Sequence, residues 1–222
     1  MAARRIYNST IRPYLPFRKN RIRGFDLRGP DKLLDFSRPG EEYEKVQIEL
    51  LTDHVLPSDH VLMLGAGVGV SALAIASAVE RVTIVDGSRT QLRVTERNLM
   101  ENGVDNVDLV RGVAGEAVHV YNGEDAPQVD LSQFDGCRVC EMDIEGAELG
   151  AIPELPESVE VLIVESHSQY GAPRWRVKRV LEKTGFEVRS VPNPDSPTAS
   201  LSAVRSQPTG SHRPQQTRPQ VA

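Results

Sequence analysis

The chain has 222 residues, 39% of them hydrophobic, two cysteines and a net charge of −5. That is enough chain for one ordinary domain with a substantial core, and no apolar run approaches the roughly 18 residues that a membrane span needs. The start of the sequence has no apolar signal-peptide core, so the cytoplasm is the expected location.

The charge is unevenly spread. Residues 1–25 carry seven basic side chains and no acidic ones, which leaves about −12 on the remainder. A basic arm on an acidic body can meet phosphates or an anionic membrane surface. Pro13 and Pro16 would interrupt an amphipathic transit helix there. Residues 1–38 are read as a basic extension that packs on the domain or stays solvated.

The domain is expected over 39–205. Residues 41–56, EEYEKVQIELLTDHVL, have apolar residues at helical spacing and stop at Pro57. HVLMLGAGVGV is a strand running into a glycine turn, and SALAIASAV suits a helix pressed closely on a sheet. RVTIVDG is a second strand, TQLRVTERNLMENG a helix closed at Asn102-Gly103, and VDLVRGV a third strand. Cys137 to Met142 is a fourth strand, Gly146 to Ala151 a short helix, and EVLIVES a fifth strand. A helix over 173–184 is followed by FEVRSV and SLSAVRS, joined by the turn-rich PNPDSPTA as a hairpin. Strands alternating with helices predict a parallel sheet covered on both faces. Residues 206–222 have almost nothing to bury and are expected to be disordered. Cys137 and Cys140 sit three apart on a strand and point to opposite faces, so they are read as core residues and not as a redox or zinc pair.

The stretch LGAGVGVS places glycines at 65, 67 and 69 between a strand and a helix. Such a turn lets the backbone approach a ligand, and the helix start offers free N–H groups. Asp86, 21 residues after Gly65 at the end of the second strand, can accept hydrogen bonds from both ribose hydroxyls of a nucleoside. Val70 stands where a dinucleotide fingerprint needs its third glycine. The G-x-G-x-G form suits a nucleoside whose amino-acid tail lies over the turn, and S-adenosylmethionine (SAM) is such a ligand. Gly65, Ala66, Gly67, Gly69, Asp86 and Gly87 are the candidate cofactor residues, with the backbone of Val113 and Ala114 on the adenine and Asp143 near the methyl group. No phosphate-binding G-x-x-x-x-G-K-[ST] is present.

Ligands of open parallel sheets bind beyond the carboxyl ends of the strands. Asp143, Glu145 and His167 all fall at such ends. Glu141, one step inside the fourth strand, is expected to face an edge of the sheet or to betray a register error of one residue.

MDIEGAEL after a hydrophobic strand resembles the (I/M)D(V/I)EGAE signature of FkbM-type SAM-dependent methyltransferases. LGAGVGVSAL, NLMENGVDNVDLV, VDLSQF and LIVESH resemble other segments of that family, over about residues 58–190. The resemblance implies a Rossmann-like class I methyltransferase: a seven-stranded, mostly parallel sheet with an antiparallel last strand and helices on both faces. It also implies a sugar, glycolipid or other small metabolite as the methyl acceptor. Met63-Leu64 replace the acid that usually precedes the glycine turn, and Asp86-Gly87 replace the usual Glu-Pro.

Methyl transfer to a hydroxyl or carboxyl oxygen needs the nucleophile held in line with the S–CH3 bond, and a hydroxyl gains from a general base. Asp143 is the first candidate base and His167 the second. Glu145 either contacts substrate or starts the short helix. No metal is assigned, although Asp143, Glu145 and a further acid could hold a hard divalent cation. Two other readings stand beside this one: an RNA methyltransferase whose basic arm tracks phosphates, disfavoured by the lack of a recognisable RNA-binding motif, and a non-catalytic interaction protein of the same fold.

Overall fold

In the computed structural model, residues 7–35, 39–115, 125–190 and 198–206 are described. The expected tail beyond Ser206, and most of the PNPDSPTA connection, lie outside the described residues.

The first feature is one that the sequence does not announce. Two helical turns, Tyr7–Ile11 and Arg12–Tyr14, lead into a β-hairpin of β1 (Phe17–Ile22) and β2 (Phe25–Lys32). The hairpin strands pair antiparallel as a separate two-stranded sheet. Ile22 and Leu27 are its buried apolar residues. The N-terminal extension therefore packs on the domain as an ordered hairpin.

The main sheet holds β3 (His60–Leu64), β4 (Arg81–Asp86), β5 (Val107–Arg111), β6 (Val139–Met142), β7 (Val161–His167), β8 (Phe186–Ser190) and β9 (Thr198–Arg205). Their order across the sheet is β5-β4-β3-β6-β7-β9-β8. All neighbours from β5 to β7 are parallel, and β9 runs antiparallel to both β7 and β8. This is the expected seven-stranded arrangement with an antiparallel last strand, and β8–β9 is the expected antiparallel pair.

Helices α1 (Lys45–His54), α2 (Val70–Ile75) and α3 (Arg89–Glu101) cover one face, and α4 (Glu148–Ala151) and α5 (Arg174–Lys183) cover the other. Alternate strand residues feed two cores: Val61, Met63, Ile84 and Ile163 on the α1–α3 side, Leu62, Leu64, Met142 and Val164 on the α4–α5 side. Because both faces are covered, the central strands read as mostly apolar runs, with Thr83 and Glu141 as buried polar exceptions. Cys137 and Cys140 are buried free thiols, as expected for core residues, but they do not face opposite ways: β6 starts only at Val139, and both enter the core on the α4–α5 side. At the amino ends of the strands, Arg138 holds both carboxylate oxygens of Asp59 at 2.6–2.7 Å and the carbonyl of His54. Among the described residues, no helix is long and apolar enough to cross a membrane.

The chain leaves β3 towards β4 and β5 on one side, and later enters β6 and moves towards β7 on the other. The crevice of this sheet therefore lies where β3 and β6 run side by side, at their carboxyl ends.

Candidate active site

The two strands that flank the crevice approach closely. Gly65 ends β3 with φ +106°, and a Cβ there would run into the carbonyl oxygen of Asp143 at the end of β6. Only glycine allows both the backbone angle and the contact. Gly65 N–H donates to Val85 O, and the turn closes at Gly69, which caps α2. Asp86 is drawn onto the turn: one carboxylate oxygen accepts from Ala66 N–H at 2.8 Å and the other from Ser88 N–H at 2.7 Å. Gly65, Gly67, Asp86 and Asp143 line one cleft of about 690 Å³, and Ala66 and Gly69 line a small cavity behind the turn. Of the other expected cofactor residues, Gly87 is buried beside Asp86. Val113 spends its N–H on Pro127 and its C=O on Val129, and neither it nor the buried Ala114 lines the cleft. The expected adenine contact from the Val113 N–H is thus already committed within the protein.

Glu141 is at neither an edge nor a slipped register. It pairs with Met63 on one side and Ile163 on the other, in the middle of the sheet, and is 6% exposed. Its side chain reaches the small cavity behind the glycine turn, together with Glu44 and Asp143. Glu44 was hidden in a predicted helix. In the structure α1 begins at Lys45, and Glu44 adopts a left-handed conformation (φ +51°) with one carboxylate oxygen accepting from Ser71 Oγ at 2.7 Å. Glu165, on β7, accepts from Gln47 Nε2 at 2.9 Å.

Four carboxylates thus converge on one strand end. Burial and mutual repulsion push Glu44 and Glu141 up from the ordinary carboxylate range, Glu141 most. Asp143 is raised to about 8 by burial and by the neighbouring Glu165, against the pull of His167. Its side chain keeps 39% exposure, so it remains open to the cleft. A wall of this kind attracts a cation.

The EGAE segment explains itself residue by residue. Glu145 is left-handed (φ +52°) and its carboxylate interacts with Tyr170. Gly146, φ +102°, faces the backbone and Cβ of Tyr170 with no room for a side chain. Glu148 is wholly buried, and its Oε1 accepts from Gly146 N–H at 3.1 Å and from His167 Nδ1 at 2.7 Å. That bond fixes the imidazole so that Nε2 points at Asp143 Oδ1, 3.3 Å away. Burial alone would lower the histidine, but the bond to Glu148 and the charges of Asp143 and Glu148 overcome it and raise His167 to about 9. His167 is 4% exposed and not the surface residue that its sequence position allows. As an imidazolium at neutral pH it is a charge partner for the carboxylates, and Asp143, raised to about 8, becomes a free base as pH rises through that value. Single donor atoms of Asp143, Glu165 and His167 lie within 4.8 Å of one another, so these three could hold a cation, whereas Glu145 belongs to Tyr170.

The hairpin and the turn before it also line the cleft, through Arg12, Pro13, Phe17, Pro30 and Lys32. Asn98 on α3 anchors it, accepting from Arg28 N–H at 2.8 Å and donating to Arg28 O and Val68 O. Asn102 grips the N–H and C=O of Asp26 in the same way. Glu44 and the individual hairpin residues escaped the sequence reading as site residues. Glu148 carried a signal as the last letter of EGAE, and Glu165 as an acid at the carboxyl end of a strand.

No family model matches the chain. A curated relative, the tRNA/tmRNA (uracil-C(5))-methyltransferase of Colwellia psychrerythraea, is 38% identical over 64 residues, 29% of this chain. The match spans only 18% of that relative's length. Solved structures match over most of the chain. The precorrin-6y C5,15-methyltransferase of Geobacter metallireducens superposes with a TM-score of 0.56 at 14% identity, over 76% of this chain and 90% of that one. The ribosomal protein L11 methylase of Lactobacillus delbrueckii subsp. bulgaricus gives 0.56 at 13% identity, over 87% and 100%. A Streptococcus mutans protein solved in complex with SAH gives 0.55 at 13% identity, over 78% and 100%. The fold is that of the class I methyltransferases. In that fold the cleft between β3 and β6, with Asp86 and Asp143 on its rim, is the candidate active site.

Proposed function

We propose that the protein is a SAM-dependent methyltransferase of FkbM type, acting on a hydroxyl or carboxyl oxygen of a sugar, a glycolipid or another small metabolite. The observation that carries the reading is the pairing of a ribose-ready carboxylate, Asp86, with a cluster of acids across the glycine turn. SAM is the cofactor expected with this fold, and the residues present fit it. Asp86 and the glycine turn suit the nucleoside, while Glu44 and Glu141, which burial and mutual repulsion hold towards their neutral forms, would be drawn to the carboxylate form by the ammonium and sulfonium end. They stand in for the acid missing before Gly65. When bound, SAM supplies a methyl group on a positively charged sulfur.

The chain's own residues divide the remaining work. Asp143 faces the cleft with a carboxyl raised to about 8, close to the working range of a general base, and would take the acceptor's hydroxyl proton. His167, protonated and pinned by Glu148, holds Asp143 in place. Glu145, tied to Tyr170, closes the acceptor side of the cleft. Titration of the protein with SAM and S-adenosylhomocysteine tests the cofactor. Micromolar binding that drops about tenfold or more in Asp86→Ala supports the reading, since each hydrogen bond to a charged group is worth roughly 1.5–3 kcal/mol. Absence of binding by either ligand refutes it. Asp143→Asn should keep S-adenosylhomocysteine affinity and lose turnover.

A second reading, RNA methylation, is favoured by the 64-residue match to an RNA-acting relative. It requires tRNA binding that weakens steeply as salt rises from 50 to 200 mM.

A further inference from the structure

The hairpin is rich in cations, yet most of them are matched within the protein. Arg12 binds Asp35 through Nε and a terminal nitrogen at 2.8–3.0 Å, and this bond holds the Asp35 carboxyl down at about 2. Arg18 pairs with Asp31 at 2.9 Å, Arg21 with Asp26 at 3.6 Å and Arg28 with Glu101 at 3.1 Å. Lys32 differs. Its ammonium lies 3.4 Å above the Phe17 ring centroid, and among the described residues it has no carboxylate in salt-bridge range. Phe17 and Val68 both adjoin Gly29, and Lys32 lines the same cleft as Gly65, Gly67 and Val68 of the glycine turn. Burial and the charge of Arg12 both work against its protonated form, and Asp35, already occupied by Arg12, offsets them only in part.

We propose that Lys32, stacked on Phe17, is the seat of an anionic oxygen group, a carboxylate or phosphate, on a molecule bound in the cleft. The cleft is lined by charges of both signs: the acids Glu44, Asp86, Asp143 and Glu145, and the cations Lys32 and Arg12. An anion in this space is repelled by the acids and held where the cations lie. A flat aromatic ring beneath the ammonium attracts its charge and leaves N–H donors on the open side for an oxygen ligand. The group has two sources. One is the carboxylate at the amino-acid end of the cofactor, which rests on the SAM reading above. The other is an anionic substituent on the methyl acceptor, which would narrow the substrate to phosphorylated or acidic metabolites.

The experiment compares wild type with Lys32→Met and Lys32→Arg in three titrations: 5′-methylthioadenosine, S-adenosylhomocysteine, and inorganic phosphate or pyrophosphate added to the S-adenosylhomocysteine complex. Methylthioadenosine lacks the amino-acid end, so its binding reports the nucleoside site and an intact fold in every variant. If the cofactor is the source, Lys32→Met weakens S-adenosylhomocysteine roughly tenfold or more, leaves methylthioadenosine unchanged, and Lys32→Arg restores most of the loss. If the acceptor is the source, S-adenosylhomocysteine affinity is unchanged, while the phosphate compound binds the wild-type complex and not the Lys32→Met complex. Unchanged S-adenosylhomocysteine affinity together with no Lys32-dependent phosphate binding overturns the proposal. Failure of wild type to bind either nucleoside refutes instead the SAM reading, and leaves phosphate binding as the remaining measure of Lys32.

Discussion

Replacing Glu148 by Gln tests whether the signature segment works through charge. The side chain is fully buried and its Oε1 serves two donors, Gly146 N–H and His167 Nδ1. Glutamine keeps the shape and an acceptor oxygen but removes the charge that favours the imidazolium. His167 rises from 6.5 to about 9 in the fold, a difference worth about 3 kcal/mol of stability. The folded-state value lies above the unfolded one, so that stability is fully present below about pH 6.5 and is lost as pH rises through about 9. Asp143 is also raised, with the same sign at lower pH, but its 39% exposure makes the contribution small and it is common to both proteins.

Asp143 and Glu165 raise His167 as well and stay in the variant, so in thermal or urea unfolding wild type should exceed Glu148→Gln by about 1–3 kcal/mol at pH 6, or roughly 2–12 °C in Tm at 2–4 °C per kcal/mol for a domain of this size. At pH 9.5 the gap should nearly close, since the imidazole is then largely neutral and glutamine keeps an acceptor oxygen for His167 Nδ1. An equal gap at both pH values would mean that Glu148 acts as a packing and turn residue only. The ion-pair reasoning would then be wrong. Full truncation in Glu148→Ala should cost about 3–5 kcal/mol at pH 6, because His167 would be left charged without its main partner.

Gly65→Ala should lose about 3 kcal/mol or more, since φ +106° and the Asp143 carbonyl both exclude a side chain; urea unfolding checks this, and a loss below about 1 kcal/mol would contradict the close approach of β3 and β6. Asn98→Ala should cost about 1–3 kcal/mol and speed tryptic cleavage at Arg21, Arg23 and Arg28, because Asn98 secures the hairpin at Arg28 and Val68. Cleavage at the wild-type rate would show that Ile22 and Leu27 hold the hairpin by themselves. Dialysis against EDTA should leave S-adenosylhomocysteine affinity and Tm unchanged, as the His167 imidazolium already supplies positive charge beside Asp143 and Glu165. A fall in either would place a metal on Asp143, Glu165 and His167.

The sheet was legible because the central strands are mostly apolar runs with a glycine or an acid at or near their ends, and helices join β3 to β4, β4 to β5 and β7 to β8. The glycine turn, Asp86 and Asp143 followed from that frame, since all three lie at strand ends that the topology gathers on one rim. The hairpin was illegible for a specific reason. Its second strand alternates buried and half-buried residues, but the buried positions are Leu27, Gly29 and Asp31, so the alternation leaves no mark in hydropathy. Asp31 is acceptable inside because Arg18 and Asn20 reach it, at 2.9 and 2.5 Å. Glu44 was lost in a run of polar residues before α1, and Glu141 looked anomalous because a strand reading has no way to show that three other carboxylates meet it across the sheet. His167 was visible as a residue, but its protonated state depends on Glu148, 19 positions away.

The order in which the chain emerges from the ribosome gives the hairpin a history. Arg28 is made 70 residues before Asn98, the side chain that secures it. A lone two-stranded hairpin has little stability in water, and at synthesis rates of roughly 5–20 residues per second the wait is about 4–14 s. During that time a strongly cationic ribbon is on offer to any polyanion nearby, the ribosome's own RNA included, and its arginines meet Asp26, Asp31 and Asp35 first and Glu101 last. The acids inside and just after the hairpin thus act as early counter-ions: they quiet the ribbon before its seat exists, and leave Lys32 for the cleft.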